Sequence, residues 1–152
     1  MLTKREKVMF ITLEGIEGSG KTTQIQTVSG WLNAAGINCL ATREPGGTPI
    51  GSQIRSILLS PQNRNLAPIA ELLLYTADRT HHLETVVRPA LAAGTTVVCD
   101  RFFDATLVYQ GYARGLDKTM IRRLHQLACG GLVPDLTLLL DIEAEAGLRR
   151  RQ

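Results

Sequence analysis

At 152 residues the chain has the length of a single domain with a substantial core, and a composition 44% hydrophobic and 20% charged, with 6 Pro and 14 Gly, excludes disordered, collagen-like and coiled-coil proteins. Net charge is +3, the excess of 17 Lys and Arg over 14 Asp and Glu, and Arg149, Arg150 and Arg151 alone equal it, so no general basic surface for nucleic acid is expected. Three cysteines (Cys39, Cys99 and Cys129) in a chain whose start reads as no secretory leader point to the cytoplasm, and every apolar run is far shorter than a membrane span.

In chain order, Val8 to Leu13 is the first predicted strand, and Lys21 to Ala35 a helix closed by Gly36, with Ile25, Val28, Leu32 and Ala35 on one face. Asn38 to Thr42 is a weaker strand, Ile50 to Leu59 a short helix. Pro68 suits the first position of a long helix through Leu91, offering Leu72, Leu73, Ala77, Leu83, Val87 and Leu91 for burial and bending or breaking at Pro89. Thr95 to Cys99 is a strand, Asp117 to Cys129 a helix stopped by Gly130 and Gly131, Leu136 to Asp141 a strand, and Ala144 to Arg151 the opening of another helix. Strands alternating with helices predict a parallel sheet with crossover helices. His81, His82 and His125 show no metal-ligand spacing with the cysteines and read as surface or helix-packing residues.

The chemistry concentrates in Gly15-Ile16-Glu17-Gly18-Ser19-Gly20-Lys21-Thr22, which matches G-x-x-x-x-G-K-[ST] between a strand and a helix. Glycines let successive backbone N–H groups surround an anionic oxygen, and the positive end of the helix adds to the attraction. Lys21 can follow the β- and γ-phosphates, and the Thr22 hydroxyl suits Mg²⁺. The six aspartates fall in neither D-x-x-G nor N-K-x-D, which removes the regulatory GTPases. Asp100-Arg101 follows the Val97-Val98-Cys99 strand, where open α/β sheets place their ligands, and the pair suits hydrated Mg²⁺ and a second phosphate.

Together with Thr42-Arg43-Glu44-Pro45-Gly46-Gly47-Thr48, Ala77-Asp78-Arg79, Arg88-Pro89-Ala90-Leu91, Asp100-Arg101-Phe102, Tyr109-Gln110-Gly111 and Pro134-Asp135-Leu136-Thr137, this loop makes the chain resemble the thymidylate kinases over nearly its whole length. The resemblance implies an α/β, P-loop NTPase-type three-layer fold with a five-stranded parallel sheet and helices on both faces, ATP and Mg²⁺, dTMP as the phosphoryl acceptor, and a homodimer. By position, Tyr75 matches the ring that stacks on thymine, Arg79 the arginine that hydrogen-bonds the base, and Thr106 and Gln110 the positions near the thymine edge. Tyr109 matches the ring under the deoxyribose, Glu17 the carboxylate that reaches the 3′-hydroxyl, Arg101 the grip on the acceptor phosphate, Asp100 the acid near Mg²⁺, and Arg43 the acceptor-side lining.

Two departures stand out. Phe102 and Ala105 occupy positions where the family carries Tyr and Ser, removing a hydrogen bond worth about 1 kcal/mol near the acceptor. A loop with Glu17 goes, in that family, with transition-state arginines on a lid beyond Leu148-Arg149-Arg150-Arg151, so a sequence ending at Gln152 is expected to form one domain without the lid and the last strand and helices. Such a chain leaves open a nucleotide-binding module of poor turnover, and the shared sheet leaves open a related kinase that prefers another base.

Overall fold

The computed structural model describes residues 7–150, which group into two compact units, 7–42 with 88–100 and 134–150, and 43–87 with 101–133. In the first unit the run Phe10-Ile11-Thr12-Leu13 becomes β1 (Phe10–Glu14), buried from end to end as a strand flanked on both sides must be. It is followed by α1 (Lys21–Ala34) and β2 (Cys39–Arg43). Between Ala34 and Cys39 the chain turns through Gly36 (φ 83°), with the Ile37 N–H donating to the Leu32 carbonyl, the helix end that the glycine predicts.

Beyond Thr48, whose hydroxyl accepts the Gly51 N–H at 2.8 Å, α2 runs Pro49–Leu59. The long helix predicted over 68–91 is divided into α3 (Pro68–His82), a wide π-helical turn over Leu83–Val87 and α4 (Arg88–Ala92). Pro89 has no N–H to donate and its ring crowds the carbonyl four residues back, so the ladder loosens ahead of the proline. The sheet is completed by β3 (Thr96–Asp100) and β4 (Leu136–Leu139), in the order β2-β3-β1-β4. β1 is parallel to both neighbours, Phe10 lying beside Val97 and Leu13 beside Asp100 on one side, Ile11 beside Leu136 and Glu14 beside Leu139 on the other. The described residues thus form four strands, where the family resemblance implies five.

The first unit's core is Ile11, Leu13 and Val98 against Ile25 of α1, flanked by Met9, Val28, Leu32, Cys39 and Leu140. Ala35, predicted on that face, is exposed. β4 is shorter than the predicted Leu136 to Asp141, and its leucines are exposed (Leu136 42%, Leu138 36%, Leu139 69%) on one of the two edge strands of the sheet.

Three further α-helices follow among the described residues: α5 (Phe103–Thr106), which widens into a π-helical segment over Leu107–Ala113, α6 (Lys118–Cys129) and α7 (Ala144–Arg150). The Asp117 carboxylate accepts the Thr119 N–H at the start of α6, and Gly130 (φ 62°) closes it. In the second unit α3 packs on both α2 and α6. Leu73 and Ala77, predicted to be buried, face solvent; α3 instead buries Leu72, Thr76, Asp78, Arg79 and His82. No helix among the described residues is long and apolar enough to cross a membrane, and none of the three cysteines forms a disulfide.

Candidate active site

In the first unit the Gly15–Thr22 loop joins β1 to α1, as the motif requires. Gly20 (φ 91°) precedes α1, which has no side-chain cap and no acid in its first turn, so its N-terminal N–H groups are not answered by a capping side chain. Gly18 (φ 78°) sits under α7, and a Cβ there would run into the Gly147 carbonyl. Lys21 is 7% exposed, and its ammonium donates to the Gly15 and Ile16 carbonyls at 2.8 Å each, with Ser19 Oγ at 3.4 Å. Ile16, Glu17 and Thr22 are exposed on the loop and the first turn of α1.

Asp100 ends β3 beside Leu13, and its Oδ1 is buried without a hydrogen-bond partner. An orphaned carboxylate oxygen is costly unless something positive meets it. Thr22 offers a hydroxyl in the same unit. A carboxylate and a hydroxyl are each oxygen donors of the kind a divalent cation such as Mg²⁺ takes.

The second unit holds a cluster of buried polar side chains. Arg79, 3% exposed, donates from Nε to Glu44 Oε2 at 2.8 Å and from Nη2 to the Phe102 carbonyl at 3.1 Å and to Thr106 Oγ1 at 2.8 Å. The other oxygen of Glu44 accepts from His82 Nδ1 at 2.9 Å, and His82 is fully buried. Burying a charged pair costs several kcal/mol per ion, and here both oxygens of Glu44 and three of the five Arg79 donors are matched, which offsets that cost. Asp78 Oδ1 accepts the Gly46 N–H at 3.0 Å while Oδ2 is buried without a partner, and burial raises its carboxyl above the usual range. The Glu44–Pro45 peptide is cis.

Tyr75, one turn before Arg79, is half-buried, and burial is the main reason its phenol is pushed up; Glu71 adds to the shift, while Arg101 and Arg55 oppose it. Arg101 is the only non-glycine among the described residues with positive φ (67°), a strained backbone of the kind found where function dictates conformation, and its guanidinium lies 5.5 Å from the centre of the Tyr109 ring. Tyr75, Arg79, Arg101, Thr106 and Tyr109, all singled out from the sequence, therefore occupy this one unit.

The remaining predicted positions are placed differently. The Thr106 hydroxyl is occupied by Arg79, and the buried Gln110 amide donates to Glu71 Oε1 at 2.7 Å. Arg43 is exposed at the end of β2. Phe102 is a core residue, 1% exposed, edge-on to the His125 ring at 5.7 Å; His125 also stacks on Phe103 at 4.0 Å and donates from Nε2 to the Leu132 carbonyl. Burial lowers the His125 pKa. Glu44, His82 and Asp78 received no individual role from the sequence. A signal existed, however: Tyr75, Asp78, Arg79 and His82 fall at i, i+3, i+4 and i+7, a polar stripe on a helix whose buried face ought to be apolar.

A family model for thymidylate kinase matches residues 13–152. The chain is 57% identical over 142 residues to a thymidylate kinase of Desulfosudis oleivorans, covering 93% of this chain and 66% of that protein. It is 59% identical over 141 residues to one of Syntrophotalea carbinolica, covering 93% and 65%. The crystal structure of thymidylate kinase from Ehrlichia chaffeensis superposes with a TM-score of 0.82 at 39% identity, covering 93% of this chain and 77% of that one. The chain thus spans just under two thirds of the length of these first two relatives. A glycine loop around a buried lysine, a polar stripe on α3 and this agreement in sequence and fold lead to one conclusion: the chain belongs to the thymidylate kinase family.

Proposed function

We propose that this chain carries out, within a thymidylate kinase, transfer of the γ-phosphoryl group of ATP to dTMP, giving dTDP. The observation that carries the reading is the pairing on α3 of a half-buried aromatic ring, Tyr75, with a buried guanidinium, Arg79, one turn on, in the unit that also holds Arg101. A ring gives a stacking surface for a flat base, and a group that can only donate hydrogen bonds reads a carbonyl. Family membership supports thymine as the base.

On this reading the Gly15–Thr22 amides and Lys21 bind the donor phosphates. Arg101 grips the acceptor phosphate, Tyr109 lies under the deoxyribose, Glu17 reaches the 3′-hydroxyl, and Arg43, Thr106 and Gln110 line the acceptor. Thr22 and Asp100 would hold Mg²⁺, and a divalent ion there would neutralise phosphate charge. The attacking oxygen belongs to a phosphate that is already anionic, so no strong base is required, and rate comes from alignment and charge cancellation. Lys21 and Arg101 are this chain's cations for that purpose. The setting is cytoplasmic and the working form a homodimer. Exposed Ile50, Ile57 and Leu59 of α2 with Ile69 and Leu73 of α3 support association of two copies, which sedimentation at micromolar concentration tests.

A coupled ADP-release assay with Mg²⁺-ATP and, separately, dTMP, dUMP, dCMP and thymidine tests the activity. Fastest turnover with dTMP is expected. Faster turnover with another acceptor would transfer the chain to a related kinase, and calorimetric dTMP binding with no ADP release would make it a binding module.

A further inference from the structure

We propose that His82 is a positioning residue for base recognition, acting through the Glu44 carboxylate to hold the Arg79 guanidinium in one orientation. The inference rests on the reading of Arg79 as the group that meets the base. Arg79 has five N–H donors. Nε is committed to Glu44, and both protons of Nη2 are committed to the Phe102 carbonyl and Thr106 Oγ1, which leaves the Nη1 pair as the donors available to a ligand. The direction of Nη1 is thus set by where the protein holds the other edge of the group.

That edge depends on Glu44. A glutamate side chain turns about its last bond unless both oxygens are engaged, and Oε1 is engaged by His82 Nδ1 at 2.9 Å while Oε2 meets Arg79. The imidazole is itself fixed. It is fully buried and lies against Gly47, where a Cβ would stand 2.6 Å from Cδ2 and Nε2. The carboxylate joins the two side chains, with Arg79 35 residues away from Glu44 in sequence and His82 38. The Arg79 guanidinium also packs over the Phe102 ring at 5.2 Å, so a loosened Glu44 allows it to pivot on that face rather than leave the cluster.

A base distinguished by its carbonyls is the ligand most sensitive to such a pivot. In dCMP an amino donor replaces one carbonyl of dTMP, so the ratio of the two affinities reports the aim of Arg79 independently of overall binding. Calorimetry would be run on the full chain, its His82→Leu variant, which keeps bulk but loses the donor, and His82→Asn, whose amide nitrogen falls near the place of Nδ1. For His82→Leu we expect dTMP to bind about tenfold more weakly, the dTMP over dCMP preference to fall by about the same factor, and ATP affinity to stay unchanged; His82→Asn should recover most of the preference.

Equal losses for dTMP and dCMP, with the preference intact, would show a merely structural residue and overturn the proposal, as would an Asn variant no better than Leu. If His82→Leu does not fold, Glu44→Asp decides: its carboxylate keeps the charge but is one methylene too short to meet Arg79 Nε and His82 Nδ1 together, so the preference must fall, and an unchanged preference overturns the inference. A wild-type chain that binds no dTMP overturns both this inference and the proposed function. A wild-type chain that binds dTMP alongside an unaltered His82→Leu overturns the inference alone.

Discussion

In the first unit every group that meets an anion in the proposed reading of the loop lies within eight consecutive residues, Gly15 to Thr22. In the second unit the bonds that build the cluster join residues 23 to 38 positions apart: Arg79 to Phe102, Thr106 and Glu44, and Glu44 to His82. The first arrangement is made largely of backbone, and what it demands of side chains is mostly their absence, as at Gly18, where any Cβ meets a carbonyl. The second is made of side chains that satisfy one another, so each member is specified by its partners rather than by its neighbours in sequence. A local backbone site should therefore fail through its one committed side chain, whereas a distributed network should fail as a network.

The sharpest way to break this contrast is Lys21→Ala. Lys21 is the one cation of the loop, and its loss should lower dTMP-dependent ADP release by about 10³-fold or more, since comparable charge-stabilising groups in phosphoryl transfer are worth that much. Far-UV circular dichroism should show an intact fold, because the turn is dictated by glycine φ values. Activity within tenfold of wild type would remove the loop from the chemistry.

That asymmetry also explains how unevenly the molecule could be read from its sequence. β1, the loop and α1 were legible within a residue or two because glycine and lysine spacing encodes their geometry directly. The helical stretch over 103–113 was not. Phe103, Thr106, Val108, Tyr109 and Tyr112 are weak helix formers interrupted by Gly111, and the helix exists because His125 stacks on Phe103 and α6 packs against Gly111, contacts that no local pattern records. Leu73 and Ala77 misled for the opposite reason. They fit an apolar stripe, yet α3 turns its polar stripe inward because Glu44 and Gly46 arrive from elsewhere in the sequence to satisfy it. Tyr75 and Arg79 were identified through resemblance, while Glu44, which bonds Arg79, and His82, which bonds Glu44, needed the three-dimensional contacts.

If the second site is a network, removing its hub should cost stability as well as recognition. Glu44→Ala leaves the Arg79 guanidinium buried with one edge unanswered, and breaking a buried ion pair in this way typically costs about 3–5 kcal/mol. Urea titration should show the midpoint falling accordingly. A loss below about 1 kcal/mol, the range of exposed pairs, would mean that water replaces Glu44 readily and that the cluster is less closed than its burial indicates.

The smallest expected effect is the most diagnostic of how polar groups are accommodated there. Asp78 is the one carboxylate of the second unit with a buried oxygen lacking a partner, and burial, more than the opposing Gly46 N–H, raises its pKa. A folded-state pKa above the unfolded value means that the native fold prefers the protonated acid. The associated stability is complete below the unfolded pKa of about 3.8 and is lost as pH rises through the higher folded value. Asp78→Asn keeps an acceptor for the Gly46 N–H and removes the charge, so at pH 7 it should lie within about 1 kcal/mol of wild type and on the stable side. Thermal melts stepped from pH 7 to pH 4 should show wild type gaining on the variant as the acid takes up its proton. Wild type gaining instead as pH rises would mean that the Gly46 N–H and the nearby Arg79 outweigh burial, and that the orphaned oxygen is answered by something positive when the site is at work.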